Sequence, residues 1–215
     1  MIIKNKYGLF VRTNTLYDYI VKEQSQYFKL FNFQVTDRFL DIGANIGATA
    51  FFVADKVHKV FCYEPDVDNF KLLARNTESL KNVYRFNSAL VGNDDTTRTL
   101  FINTKTNKAT HSFLVKRGRG QVTVNCRNIG YAIKLHKINV IKMDVEGAEY
   151  ELLTNMNYSS ISNIDELVFE YHFNVLKHDK YFELVKFMKK RFSYVKFRLD
   201  PKKSWTTLVY CSNRR

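Results

Sequence analysis

Four acids stand where a strand-like run gives way to a turn. Asp41 closes Arg38-Phe-Leu-Asp41 and leads into Gly43 and Gly47. Glu64 closes Phe61-Cys-Tyr-Glu64 and is followed by Pro65 and Asp66. Asp144 emerges from the apolar run Val140-Ile-Lys-Met, and Glu170 lies in Phe169-Glu-Tyr-His172. A carboxylate so placed can accept hydrogen bonds from hydroxyls, attract a cation or take a proton. His172 adds an imidazole that titrates near neutrality, a fair general base beside two acids.

The spacing from Asp41 to Gly47 is D-x-G-x-x-x-G. A dinucleotide loop reads G-x-G-x-x-G instead and holds a pyrophosphate. Asp41 would repel a pyrophosphate and attract a ligand carrying an ammonium and a sulfonium. S-adenosylmethionine (SAM) is such a ligand. Gly43 and Gly47 let the backbone approach it closely. Glu64, about twenty residues on, suits ribose hydroxyls. Asn87 and Ser88 end the next strand and could reach an adenine edge. Asp144 falls beside the same cleft and is a candidate for binding the donor as well as for catalysis. Glu146 and Glu149 read as acids at the start of a helix, near its positive end. His111 reads as a loop histidine.

Elements that would position these groups alternate along the chain. Strands are expected near 38–42, 59–64, 83–88, 138–143 and 165–171, and helices near 46–55, 66–78, 147–156 and 178–191. This rhythm implies a parallel sheet covered on both faces. Residues 194–199 and 206–211 are too close for a crossover helix and should pair antiparallel. A helix capped by Thr13 or Asn14 should run to about Phe31. Residues 92–137 break the rhythm and read as an insertion over the carboxyl edge of the sheet, with Gly118-Arg-Gly120 as a turn. Trp205 and the aromatic residues of the tail read as core. The whole of 1–215 reads as one domain, with 13–31 and 92–137 on the acceptor side.

The composition is that of a globular chain: 215 residues, 45% hydrophobic, two prolines. No stretch approaches the roughly 18 uncharged apolar residues of a membrane span. Three separated cysteines suit neither a disulfide framework nor a zinc site and point to a reducing, cytoplasmic setting. The formal charge is +13. It is unevenly spread: residues 145–176 hold six acids and no Lys or Arg, while 177–215 hold twelve Lys or Arg and three acids. The basic tail reads as a solvated face.

Taken in order, Phe39-Leu-Asp-Ile-Gly-Ala-Asn-Ile-Gly-Ala48, Tyr63-Glu-Pro-Asp66, Asn87-Ser-Ala89, Lys142-Met-Asp-Val-Glu-Gly-Ala-Glu149 and Glu170-Tyr-His172 resemble the FkbM family of SAM-dependent methyltransferases. The resemblance covers roughly residues 36–172. It implies a Rossmann-like class I methyltransferase fold, α/β, with seven mostly parallel strands, one of them antiparallel, and helices on both faces. It implies O-methyl transfer to a sugar or glycan hydroxyl, for instance on a deoxyhexose such as rhamnose or fucose. Asp41, Gly43, Asn45, Gly47 and Glu64 would then hold SAM, and Asp144, Glu170 and His172 would serve catalysis. Related enzymes place acids at the ends of strands four and five around Mg²⁺, and His172 as a third ligand would suit Mn²⁺ better. An RNA methyltransferase is the main rival, prompted by the net charge. Against it, residues 145–176 hold none of the lysines such an enzyme places around its acid, although Lys142 is present, and Asp-Val-Glu-Gly stands where a base methyltransferase has an Asn/Asp-Pro-Pro-aromatic loop. A SAM-binding module without catalysis is the other.

Overall fold

The computed structural model describes residues 2–13, 27–102, 111–114, 116, 120–156, 158–173, 176–199 and 206–214. A short antiparallel hairpin comes first, β1 (Ile2–Lys4) and β2 (Phe10–Arg12). Strands and helices then alternate: β3 (Arg38–Ile42), α1 (Ala48–Val53), β4 (Lys59–Tyr63), α2 (Val67–Asn76) and β5 (Val83–Phe86). The middle of the chain forms β6 (Ala89–Val91), β7 (Thr97–Ile102), β8 (Gly120–Asn128) and α3 (Ile129–His136). The alternation resumes with β9 (Val140–Met143), α4 (Glu149–Asn155), α5 (Tyr158–Ile161), β10 (Glu166–His172) and α6 (His178–Lys189). The hairpin β11 (Tyr194–Leu199) and β12 (Thr206–Ser212) follows.

Seven of these strands form one sheet in the order β11-β12-β10-β9-β3-β4-β5. β10, β9, β3, β4 and β5 run parallel. β12 is antiparallel to both β10 and β11, as the short connection requires. Near-continuous apolar runs make the strands because both faces are buried. Leu40, Ile42, Ile141, Met143 and Phe169 pack on one face with Ile133, Leu152 and Leu184 from the helices. Phe39, Val60, Val140, Val168 and Tyr210 pack on the other with Tyr27, Phe31 and Val53.

The expected strands and helices appear within a few residues of their predicted bounds. Of the helix expected over 13–31, residues 14–26 lie outside the described residues. So do 103–110 and 117–119 of the insertion, and Trp205. The insertion is more ordered than its sequence suggests. β6, β8 and β7 make a three-stranded sheet, parallel then antiparallel. Arg98 of β7 grips Glu151 of α4 with two parallel hydrogen bonds of 2.8 Å. Residues 129–136 form a helix that the sequence reading did not anticipate. Asn128 caps it, its side chain accepting from the Tyr131 amide at 3.1 Å, and Ile129, Ala132 and Ile133 are its buried side.

At the carboxyl edge, two turns lock together. Gly43 and Ala44 both donate to Tyr63 O, at 3.1 and 3.0 Å, and Asp144 N donates to Ile42 O at 3.1 Å. Gly43 has φ +74°, and a Cβ there would lie 2.0 Å from Asp144 O. That neighbour is backbone and cannot swing aside. Gly43→Ala is therefore expected to cost at least ~2 kcal/mol, from the left-handed conformation and the forced shift together. Denaturant unfolding measures this. Equal midpoints for variant and wild type would contradict the interlock.

Candidate active site

Parallel pairing puts Asp41 of β3 beside Lys142 of β9 in register, with Val168 of β10 on the far side of Lys142. In-register neighbours share a face, so the two charges meet. Lys142 Nζ is 3.2 Å from Asp41 Oδ1, and both side chains are completely buried. Lys142 Nζ also donates to Gly43 O at 3.1 Å. Burial works against its ammonium, but Asp41, Asp144 and Glu170 more than offset this and hold it charged. Burial pushes the Asp41 carboxyl up, and Lys142 pulls it back. Asp41 thus stands at the expected place, but its charge is met inside the protein rather than displayed to a ligand.

The glycine loop after Asp41 is wound through positive φ at Gly43, Asn45 and Gly47. Asparagine tolerates this better than most residues. Asn45 N donates to Glu64 Oε2 at 2.8 Å, and Asp66 N to Glu64 Oε1 at 2.9 Å. Burial pushes the Glu64 carboxyl up to about 7, although both amides pull it down. Asn87 ties the end of β5 to β4, donating to Glu64 O at 2.9 Å. Asn45 Oδ1 and Ser88 Oγ are buried and have no hydrogen-bond partner among the described residues. Unsatisfied buried polar atoms are uncommon, and both of these lie in turns that follow strands of the sheet, Asn45 after β3 and Ser88 after β5.

β9 and β10 are neighbours, so Asp144, just past β9, comes together with Glu170 and His172 at the end of β10, as the sequence reading expects. One ligand atom from each lies within 4.8 Å of the others. Glu170 Oε2 accepts from Tyr27 OH at 2.5 Å. Burial first, then the charge of Asp144, raise the Glu170 carboxyl above its usual range.

His172 Nδ1 lies 2.7 Å from Glu149 Oε1, and that carboxylate is fully buried. Its Nε2 faces Asp144 Oδ1 at 3.8 Å and Glu146 Oε2 at 3.7 Å. Burial disfavours the imidazolium, but Glu149, Glu146 and Asp144 outweigh it and raise His172 well above its usual value. Glu149 is therefore more than a helix-start acid: it orients the histidine. A carboxylate one helical turn from an Asp-x-Glu-Gly strand end was the available signal. Glu146 has φ +53°, an uncommon conformation for a non-glycine residue, and it aims its carboxylate into the same centre. The segment 111–114 spans the two halves of the cleft. His111 Nε2 approaches Asp66 Oδ2 at 3.8 Å, and Ser112 Oγ donates to Glu146 O at 2.6 Å.

A family profile described as a methyltransferase FkbM domain matches residues 41–199. The chain belongs to the FkbM methyltransferase family. Solved structures agree on the fold. An FkbM methyltransferase from Methylobacillus flagellatus KT aligns with a TM-score of 0.58 at 19% identity, over 85% of this chain and 45% of that one. The present chain thus spans less than half of that protein. Fibrillarin, in its complex with Nop5p, aligns at 0.59 and 14% identity, over 98% and 92% of the two chains. An rRNA methylase from Streptococcus thermophilus aligns at 0.53 and 6%, over 89% and 93%. At such identities these neighbours establish a class I methyltransferase fold and nothing finer. No curated protein sequence matches the chain.

In this FkbM domain the Asp41–Lys142 pair predicts its own mutational signature. Lys142→Met leaves a buried carboxylate uncompensated and is expected to cost about 3–5 kcal/mol. Adding Asp41→Leu should restore most of that loss, because a well-packed apolar pair replaces the charges at little cost. Urea unfolding of both singles and the double closes the cycle. Additive losses would show that the two groups do not interact.

Proposed function

We propose that this FkbM-family domain transfers a methyl group from S-adenosylmethionine to a hydroxyl of a sugar or glycan, with deoxyhexoses such as rhamnose or fucose as the first acceptors to examine. The observation that carries the reading is the acidic centre at the ends of β9 and β10, set beside a glycine loop with unsatisfied polar atoms. Among the described residues, Asp144, Glu146, Glu149 and Glu170 face one histidine there. A neutral polyol can donate hydrogen bonds to such a surface, whereas the phosphates of RNA would be repelled. No helix among the described residues is long and apolar enough to cross a membrane. The three cysteines are free and buried, which suits the reducing, cytoplasmic setting that belongs to this reading.

The residues present fit the donor. Gly43 and Gly47 bring backbone close, Asn45 Oδ1 is a free acceptor for an ammonium, and Ser88 Oγ is available at the adenine side. Glu64 would take the ribose hydroxyls, with Asn87 holding the end of its strand. Asp41 acts through Lys142 and the Gly43 carbonyl. The donor, when bound, supplies a methyl group on a positively charged sulfur. Asp144 is a quarter exposed, so an entering hydroxyl meets it directly. In this reading Asp144 takes the hydroxyl proton. His172, held protonated, and Glu170, held by Tyr27, fix its place. Most of the acceleration comes from aligning the hydroxyl oxygen ~3 Å from the methyl carbon. A divalent ion, Mg²⁺ or Mn²⁺, would serve the same hydroxyl.

Calorimetry with SAM and its demethylated product tests the donor half. Glu64→Gln is expected to weaken binding by about tenfold, the loss of a charge-assisted hydrogen bond. Below pH 7 Glu64 gains a proton and loses its acceptor character. Wild-type affinity should therefore fall as pH drops from 8 to 6, by up to about tenfold in all and toward the level of Glu64→Gln, which stays flat. A pH response shared by both proteins would remove Glu64 from the site.

Labelled methyl transfer to a panel of neutral sugars and to RNA tests the acceptor half. Asp144→Asn is expected to lower kcat by about 10² to 10⁴-fold with donor affinity kept. Transfer to RNA, or donor binding with no transfer to any acceptor, would overturn the glycan reading.

A further inference from the structure

We infer that His111 and Ser112 are positioning residues, one for each half of the cleft. His111 steadies Glu64 on the donor side by way of Asp66, and Ser112 holds Glu146 in the conformation that faces His172. The inference deepens the methyl-transfer reading and rests on it for what the two halves bind. In the sequence His111 reads as a loop histidine, and no motif marks Ser112.

Segment 111–114 is built as a fixed support. Ser112 pairs with Phe101 of β7 in both directions, Phe101 N donating to Ser112 O at 3.0 Å and Ser112 N to Phe101 O at 3.2 Å. Phe113 packs against two apolar clusters, one on the main sheet and one on the β6-β8-β7 sheet. The Arg98 guanidinium lies 5.8 Å from the centre of the Phe113 ring while it grips Glu151 of α4. Side chains locked by packing and by hydrogen bonds behind them are what hold working groups in place.

On the donor side, His111 is almost wholly buried, and its Nε2 stands 3.8 Å from Asp66 Oδ2. Asp66 is also tied elsewhere. Its Oδ1 caps α2 by accepting from Asn69 N at 2.8 Å, and its own amide donates to Glu64 Oε1 at 2.9 Å. Asn45 N holds the other Glu64 oxygen. Glu64 is thus aimed by two amides, and one of them belongs to the residue that His111 faces. A shift of Asp66 turns the Glu64 carboxylate, so His111 acts through Glu64.

On the acidic side, Ser112 Oγ donates to Glu146 O at 2.6 Å and accepts from Leu114 N at 3.2 Å. The hydroxyl is therefore used as donor and as acceptor, at a buried position. Glu146 has φ +53°. Holding a non-glycine residue there costs an energy of the same order as one buried hydrogen bond supplies. The bond from Ser112 is therefore large enough to decide the conformation. That conformation sets Glu146 Oε2 3.7 Å from His172 Nε2. A right-handed or extended residue would send the carboxylate elsewhere.

The two roles are separable, and the test exploits this. Carbon-13 shifts of Glu146 Cα and Cβ report its left-handed backbone with neither donor nor acceptor present. They should move to ordinary values in Ser112→Ala and Ser112→Cys and stay in place in His111→Ala. Cysteine keeps the size of serine and covers the case in which alanine fails to fold, which circular dichroism shows. Unchanged shifts would overturn the role of Ser112. In calorimetry with SAM and its demethylated product, His111→Ala should weaken binding about fivefold. His111→Gln, which keeps a nitrogen near the Nε2 position, should restore most of it. Adding His111→Ala to Glu64→Gln should cost little more than Glu64→Gln alone, because both act through one carboxylate. Unchanged affinity in His111→Ala, or additive losses, would overturn the role of His111. Failure of the wild type to bind SAM would remove the donor reading and His111 with it, and the Glu146 shifts would still decide Ser112. In labelled methyl transfer, Ser112→Ala should lower kcat about tenfold with donor affinity kept. His111→Ala should raise the donor KM with kcat kept, and the reverse split would overturn the assignment.

Discussion

Asp41 and Lys142 occupy matching positions on neighbouring parallel strands, and the geometry of both halves of the cleft passes through them. Taking two charges out of water costs several kcal/mol for each ion. The 3.2 Å contact recovers part of that cost, and the Lys142 bond to Gly43 O recovers more. The ammonium is also drawn by Asp144 and Glu170. One buried cation therefore touches the glycine loop on one side and feels the acidic centre on the other. The loop after β3 cannot slide against β9 without stretching this pair. An apolar pair of the same volume would hold the strands together as firmly, but it would not fix the carbonyl of Gly43.

Local and overall charge point in opposite directions in this chain. The sequence carries +13, yet residues 145–176 contain no Lys or Arg. Exposed lysines are screened beyond about 8–10 Å at ordinary salt. Buried carboxylates act in a medium that screens them far less. The field that an acceptor meets is set by Asp144, Glu146 and Glu170 rather than by the basic tail. The net charge of the chain therefore says little about the local field at the ends of β9 and β10.

The sheet was readable because its strands are apolar, short and bounded by acids and glycines. The terminal hairpin was readable from the length of its connection alone. α3 was missed although Asn128, Ile129, Ala132 and Ile133 have the capping and spacing of a helix. Alternating β-type segments on its N-terminal side run straight into that pattern and mask it. Among site residues, Glu64, Asp144, Glu170 and His172 could be placed because each ends a strand, and strand ends share an edge. Partners across the fold could not be placed. That Lys142 answers Asp41 depends on β9 lying next to β3, which the parallel rhythm alone does not specify. That Glu149 holds His172 depends on how the first turn of α4 meets the end of β10.

Two contacts reach the acidic centre from outside the alternating strands and helices. Tyr27 hydrogen-bonds Glu170, and Ser112 hydrogen-bonds the backbone of Glu146. Tyr27 comes from the N-terminal segment and Ser112 from the insertion, the two parts of the chain outside the alternating strands and helices. Each takes hold of one element of the acidic centre. Tyr27 and Thr206 both hydrogen-bond the Glu170 carboxylate and fix its position. Ser112 helps to hold Glu146 in its left-handed conformation. The strand-end acids are thus supplied by the common sheet, while their final aim is set by segments that the sheet does not dictate. Under the proposed function, a change of acceptor would come from those segments with the strand-end acids unaltered. A D-x-G-x-x-x-G loop and a D-x-E-G-x-E strand end therefore announce the family without naming the acceptor.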